Sequence, residues 1–274
     1  HRDLHSFPTR RSSDLTILGC GSSGGVPRIG GIWGNCDPDE PRNTRLRCSL
    51  LIQKFGELGV TNVLVDTSPD LRSQLLKTGI STLDGVIYTH SHSDHVNGID
   101  DLRMIVINRK KRLPVWADEI TKKRLLKCFD YVFKKLKGSP YPPILEMNLI
   151  ENNTIIKGAG GDICLQPIRV NHGSTDSLGF RIGLTAYIPD VLEIYESSKP
   201  LLKNLNYLII DALRYSPHPS HAHLEKALEW INEFAPSHSI ITNMHTDIDY
   251  KRLKSETPSN VYPAYDNLSF ETAE

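Results

Sequence analysis

The residues best equipped for chemistry sit in one hexapeptide, His90-Ser-His-Ser-Asp-His95. Three imidazoles and a carboxylate this close together cannot all enter an apolar core, because each carries polar atoms that need partners. On an extended segment alternate residues share a side, which sets His90 beside His92. The turn that follows swings Asp94 and His95 toward the same point. Nitrogen and carboxylate ligands without a thiolate suit zinc, manganese or ferrous iron. The other histidines cluster too. With residues 1–15 set aside, they fall at 172, 218, 221, 223 and 245, and only His238 stands apart.

Strands must deliver these groups. Residues 16–18 form a short apolar run that enters the glycine-rich stretch Gly19-Cys-Gly-Ser-Ser-Gly-Gly-Val-Pro27, and 19–47 reads as an extended loop. Residues 48–53 and 60–66 look like strands joined by a turn. A helix opens at Thr67-Ser-Pro-Asp70 and stops at Gly79. Residues 85–89 form the buried strand that ends at His90. Residues 97–108 read as helix and 113–117 as strand. Residues 119–137 read as a basic amphipathic helix with Leu136 on its apolar side. Strand patterns fill 144–188. Helices are expected over 191–203, 221–234 and 249–256, with strands at 207–211 and 239–242.

Residues 1–15 read HRDLHSFPTRRSSDL and carry no hydrophobic period. One reading frame of a common short-read sequencing adapter encodes all fifteen. We therefore expect a non-native scar there, and one hydrolase domain over 16–274. The chain has 32 Lys+Arg and 32 Asp+Glu, a balance that argues against gripping nucleic acid through bulk charge. No apolar run is long enough to span a membrane, and no signal peptide is visible. The five cysteines are scattered, odd in number and without a CxxC pair, which points to a reducing, cytoplasmic setting.

The hexapeptide, with its HxHxDH spacing, resembles the metallo-β-lactamase fold family, and the resemblance covers residues 16–274. It implies an α/β, four-layer αββα sandwich with a dinuclear site along one edge of the sheets. By position, His90, His92 and His172 resemble ligands of one metal, Asp94 and His95 ligands of the second, and Asp190 the bridging carboxylate. Asp66 resembles an early aspartate that holds a ligand imidazole. The last ligand is assigned to His245, although the relatives' histidine aligns with Asn243. His245 has the same parity on an extended strand, so it would face the same side.

The opening GCGSSGGVPR, the segment Arg45-Leu-Arg-Cys-Ser49 and the ending Val261-Tyr-Pro-Ala-Tyr-Asp266 resemble phosphodiesterases of the PhnP type, which act on a phosphoribosyl 1,2-cyclic phosphate. In Ser220-His-Ala-His-Leu-Glu-Lys-Ala-Leu228, His221 aligns with the histidine that acts on substrate, and His223 is an extra. The resemblance implies two divalent ions, Zn or Mn, and a bridging hydroxide that attacks a small phosphodiester. Asp94 and His221 are the expected catalytic groups, with Ser22, Ser23 and His223 near the substrate. The relatives' structural zinc on three cysteines and a histidine is not expected, since only Cys36 stands in that region and Thr246 replaces the histidine.

Two other readings compete. A tRNA 3′-processing endonuclease shares the signature, but it would need a protruding basic arm, for which the helix over 119–137 is a poor candidate. A catalytically idle metal- or ligand-binding protein would not need so full a ligand set. β-Lactamase activity is disfavoured by Asp94 and Asp190 and by the missing export signal. The expected partner is a small phosphodiester rather than a membrane or nucleic acid, and a homodimer is left open.

Overall fold

Strand segments with apolar side chains on both faces need cover on both sides. Leu50 and Ile52 join one core cluster, and Leu51 between them joins the other. The computed structural model describes residues 12–135 and 137–273. In chain order these form β1 (Ser12–Gly19), β2 (Ser49–Gly56), β3 (Gly59–Val65), α1 (Leu71–Thr78), β4 (Gly85–Ile87), α2 (Ser93–Val96), α3 (Leu102–Arg109), β5 (Leu113–Ala117), α4 (Glu119–Cys128), α5 (Asp130–Phe133) and β6 (Leu145–Leu149). Then follow β7 (Thr154–Ile156), β8 (Ile163–His172), β9 (Thr175–Ile182), β10 (Thr185–Ile188), β11 (Glu193–Ile194), β12 (Tyr207–Asp211), α6 (Leu224–Phe234), β13 (His238–Thr242), α7 (Tyr250–Glu256), β14 (Val261–Pro263) and β15 (Leu268–Ala273).

Among the described residues, one sheet has the order β15-β1-β2-β3-β4-β5-β6. The other has the order β11-β8-β9-β10-β12-β13-β14, with β7 also paired to β8. One apolar cluster joins Ile17, Ile52 and Val65 of the first sheet to Val170, Phe180 and Ile209 of the second, and continues to Trp230 of α6 and Leu253 of α7. A second cluster packs Leu51, Leu64 and Val86 against Leu71 of α1, Ile105 of α3 and Leu125 of α4. The layers are helix, sheet, sheet, helix, the expected αββα sandwich.

Parallel pairing gathers strand ends. β3, β4 and β5 run parallel, as do β10, β12 and β13. β8 shares the direction of β10, since both are antiparallel to β9. Their C-terminal ends deliver Asp66, His90, His172, Asp190, Asp211 and Asn243. The Leu178 N–H donates to the Thr89 carbonyl at 2.9 Å and ties the two sheets together at this edge. Asp66 (φ 63°) and Asn243 (φ 59°) both adopt the left-handed conformation, so the chain turns sharply as it leaves each strand.

The long loop 19–47 is anchored by Arg45, which is 1% exposed. Its guanidinium donates to Asn43 Oδ1 at 3.0 Å, to the Ile248 carbonyl at 2.7 Å and to the His245 carbonyl at 3.3 Å. The Cys36 thiol beside it donates to the Ile248 carbonyl at 3.3 Å. Asp266 accepts the Leu46 N–H at 2.9 Å, which fastens the same loop to the C-terminal segment.

Three sequence expectations are corrected. The helix expected over 191–203 is instead β11, which pairs with Val170 and Asn171, followed by a 3-10 turn at Lys199–Leu202. The open edge of β8 offers backbone partners, and Pro200 is tolerated at the start of a helical turn but not within one. The basic helix over 119–137 breaks at Phe129 into α4 and α5, and the Ile144 N–H then bonds to the Val132 carbonyl. Leu136 lies outside the described residues. Finally, residues 12–15, inside the stretch expected to be a scar, are part of the first sheet. Residues 1–11 lie outside the described residues, but Ser13, Asp14 and Leu15 pair with both β15 and β2, and Leu15 is fully buried. Strand pairing uses backbone groups that every residue carries, so a segment of any origin can join an edge that fits it.

Two stability measurements test this fold. Leu15→Ala should cost about 3 kcal/mol in denaturant unfolding, as for other buried leucines, and a change near zero would remove β1 from the core. Burial pushes the Asp266 carboxyl up to about 6. Its ionisation therefore penalises the fold, and the stability it contributes while protonated is lost as pH rises through 6. The stability of Asp266→Asn relative to the parent should shift in its favour by roughly 2–3 kcal/mol between pH 4 and pH 8. A pH-independent difference would contradict the burial.

Candidate metal centre

His92 is the last extended residue of the motif, and α2 begins at Ser93. That change of geometry brings His95 back toward His90, with ring centroids 4.4 Å apart. β8 adds His172, with ring centroids 5.0 Å from both His90 and His92. Asp190 enters from the turn after β10.

The ring nitrogens divide into held and free. His95 Nδ1 donates to Asp66 Oδ2 at 2.8 Å. Thr89 Oγ1 donates to the same oxygen at 2.8 Å and accepts from His90 Nδ1 at 3.0 Å. His172 Nδ1 donates to the Ser220 carbonyl at 2.7 Å, and His221 Nδ1 donates to Asp211 Oδ2 at 2.8 Å. Such bonds fix ring orientation and leave each opposite nitrogen available, as a lone pair where the ring is neutral. His90 Nε2, His95 Nε2 and Asp190 Oδ2 are buried without a hydrogen-bond partner.

These orphan atoms converge. His95 Nε2 lies 3.0 Å from Asp190 Oδ2 and 3.6 Å from Asp94 Oδ2. His172 Nε2 lies 3.2 Å from His92 Nδ1 and 3.8 Å from Asp190 Oδ1. Three donor groups, His90/His92/His172, His90/His95/Asp190 and His172/Asp190/His221, each have ligand atoms within 4.8 Å of one another. Buried acceptors facing each other this closely need a cation, and the donor set fits a divalent one. Asp190 presents one oxygen to each side.

Charge follows the same lines. Burial, reinforced by His95, holds the His90 pKa well below the ordinary imidazole range. Burial opposes charge on His95 as well, but Asp190, Asp94 and Asp66 outweigh it and raise its pKa. Burial likewise opposes charge on His221, where Asp211 and Asp190 push the pKa up to about 9.

The structure brings together His90, His92, Asp94, His95, His172 and Asp190, with Asp66 behind His95. His245, expected as the last ligand, lies elsewhere. Its Nδ1 donates to Asp247 Oδ1 at 2.8 Å, and its Nε2 meets the Arg28 guanidinium. The parity argument assumed an extended strand, but the left-handed turn at Asn243 redirects the chain. Asn243 itself stands at the centre, with Nδ2 3.4 Å from Asp190 Oδ1 and 3.2 Å from His221 Nδ1. His223 is the cap residue of α6, and its ring lies 3.9 Å from Glu225 rather than in the cluster. Ser22 is buried with an unpartnered hydroxyl, and its N–H donates to the Met244 carbonyl at 3.3 Å, while Ser23 is exposed. Sequence reasoning missed Asp211, although Tyr207-Leu-Ile-Ile-Asp211 ends an apolar strand on a carboxylate as Val63-Leu-Val-Asp66 does.

Residues 61–244 match the Beta-lactamase superfamily domain. An octanoyltransferase of Porphyromonas gingivalis is 34% identical over 255 residues, which are 92% of this chain and 50% of that protein. The chain thus spans about half the length of this curated relative. A ribonuclease Z of Gemmatimonas aurantiaca is 30% identical over 123 residues, 44% of this chain and 37% of that protein. Among solved structures, a diphosphatase from the PhnP family superposes with a TM-score of 0.83 at 33% identity, over 95% of this chain and 97% of that one. The short form of human tRNase Z superposes at 0.62 with 15% identity, over 94% of this chain and 98% of that one, a likeness of fold alone.

Removing the carboxylate behind His95 tests the centre without touching a ligand. Asp66→Ala should lower divalent-metal affinity about 10–100-fold, measured by competition with a chelator, while the protein stays folded. Unchanged affinity would mean that His95 does not ligate.

Proposed function

Because the chain belongs to the beta-lactamase superfamily and carries a metal-dependent hydrolase domain, we propose that it hydrolyses a small, cyclic phosphodiester. The observation that carries this reading is the set of orphaned donors around Asp190, flanked by the Asp211–His221 pair. Two divalent ions, Zn or Mn, held by His90, His92 and His172 on one side and Asp94 and His95 on the other, with Asp190 bridging, would neutralise phosphoryl oxygens and lower the pKa of bound water.

The chain's own groups supply the rest. Asp94, whose side chain is 17% exposed, is the most open of the site's carboxylates and would orient the attacking water. His221 has Nδ1 fixed on Asp211, which leaves Nε2 to give a proton to the departing alkoxide. Asp211 keeps that ring charged and aimed. The loop around Ser22 would offer N–H and hydroxyl donors to the phosphate. The diphosphatase named above makes a phosphoanhydride a natural member of the substrate panel. Among the described residues no helix is long and apolar enough to cross a membrane. The five cysteines are free thiols, which fits a cytoplasmic setting. The ribonuclease Z relatives favour a second reading, endonucleolytic cleavage of RNA.

Assays of metal-loaded protein on cyclic phosphodiesters, linear phosphodiesters, diphosphates and a tRNA precursor separate these readings. Turnover of none of them would leave an idle binder. His221→Ala should lose roughly 10²–10⁴-fold on alkoxide leaving groups and far less on p-nitrophenyl esters, whose phenolate leaves without a proton. Metal content should be retained. Equal loss on both substrate types would make His221 a phosphate-positioning group, and loss of metal would make it a ligand.

A further inference from the structure

A file of rings leads out of the centre. His172 and His221 have ring centroids 4.6 Å apart, and His218 lies 5.2 Å from His221. His172 is buried, whereas His218 is half-buried, so the file ends at the surface. His218 Nδ1 accepts from the Ser220 N–H and hydroxyl, each at 3.3 Å. That leaves its Nε2–H free to donate. Arg214 holds the same loop in shape, with Nε donating to the Ser216 carbonyl at 3.0 Å and Nη2 to the Pro217 carbonyl. After burial, the charges of His221, Arg214 and His245 lower the His218 pKa, so these groups share one neighbourhood.

His245 joins that neighbourhood to the loop that carries Arg28. Its N–H donates to the Leu213 carbonyl at 2.9 Å, next to Arg214. Its Nδ1 donates to Asp247 Oδ1 at 2.8 Å, and its Nε2 meets the exposed Arg28 guanidinium. Among the described residues neither Arg28 nor Arg214 pairs with a carboxylate. Asp247 is the acid beside them, and His245 and the Tyr215 N–H already engage it. Two unpaired guanidiniums and a donor imidazole make a rim of one charge sign, which attracts anions.

We infer that Arg28, Arg214 and His218 form an anion subsite beside His221, which takes a second phosphate carried on the leaving group of the scissile ester, and that Asp247 and His245 position Arg28. His221 gives its proton to the leaving group, so groups next to His221 flank the leaving group's path. Guanidinium forks and an imidazole N–H match the oxygens of a phosphomonoester. The subsite rests on the phosphodiesterase reading proposed above and narrows it to substrates that bear two phosphates.

Metal-loaded, full-length protein is given adenosine 2′,3′-cyclic phosphate with and without a 5′-phosphate. kcat/KM should favour the 5′-phosphorylated substrate roughly 10–100-fold, chiefly through KM. Arg28→Ala and Arg214→Ala should each lose most of that preference. The preference is a ratio within one protein, so partial misfolding or metal loss cancels. His245→Ala should lose it too, whereas His245→Gln, whose amide oxygen can accept from Arg28, should keep part of it. Equal loss in both His245 variants would take His245 out of the positioning role. Turnover of both substrates without preference, or a preference that survives in both arginine variants, would overturn the subsite and leave the phosphodiesterase reading standing. Turnover of neither would overturn the cyclic-phosphodiester reading, and the subsite is then judged on binding. Adenosine 5′-phosphate should bind more tightly than adenosine, and Arg28→Ala should abolish the difference. Equal binding of the two by the parent protein, or a difference unchanged in Arg28→Ala, would overturn the subsite as well.

Discussion

A buried carboxylate ringed by buried imidazoles organises this molecule. Asp190 Oδ2 lies 3.0 Å from His95 Nε2, and Asp190 Oδ1 lies 3.8 Å from His172 Nε2. Leaving such a group unpaired away from water is costly, and charge deepens the demand, because the surrounding imidazoles hold Asp190 well below the usual carboxylate range against its burial. The arrangement is stable only as half of a larger one, in which a cation replaces the missing donors. Parallel strand ends from both sheets, the left-handed turns at Asp66 and Asn243 and the bonds that lock Nδ1 of His90, His95, His172 and His221 serve that one convergence.

The rigidity of the ring positions comes from one residue further out. Asp66 holds His95 and Thr89, Thr89 holds His90, and Asp211 holds His221. Asp66 and Asp211 occupy corresponding places, each closing an apolar strand in its own sheet. Both carboxyls are raised by burial, Asp211 to about 6, although the imidazole each one holds lowers it. Their acceptor strength is therefore spent on the rings rather than on solvent, and ring orientation is decided inside the fold.

The motif and its strand were legible because HSHSDH makes sense only at a strand end, and the αββα layering was implied by the family resemblance that the motif carries. Asp66 could be read from the strand it terminates, and the same logic applied to residues 207–211 would have found Asp211. What could not be read was anything that depends on a backbone sign. His245 was placed by counting two residues along a strand that in fact ends at Thr242, and a positive φ at Asn243 reverses the count. The segment 191–203 failed for a related reason. The unpaired edge of β8 gave its backbone other partners. Residues 12–15 show the converse, in that a stretch without pattern was accepted because the edge, rather than the stretch, supplied the specification.

The same departures bear on chemistry. Losing a histidine from the last strand end costs the centre one nitrogen, and the chain neither restores it with His245 nor leaves the position apolar. It places there a group that can present either a donor or an acceptor. By donating to Asp190 the amide partly satisfies the carboxylate and steadies the fold. A histidine in its place would repel a second cationic imidazole, His221, whose Nδ1 lies 3.2 Å from the amide. The proton-bearing ring and the carboxylate, 3.6 Å apart, therefore share one small neutral neighbour, which adds no charge to the Asp211–His221 pair beside it.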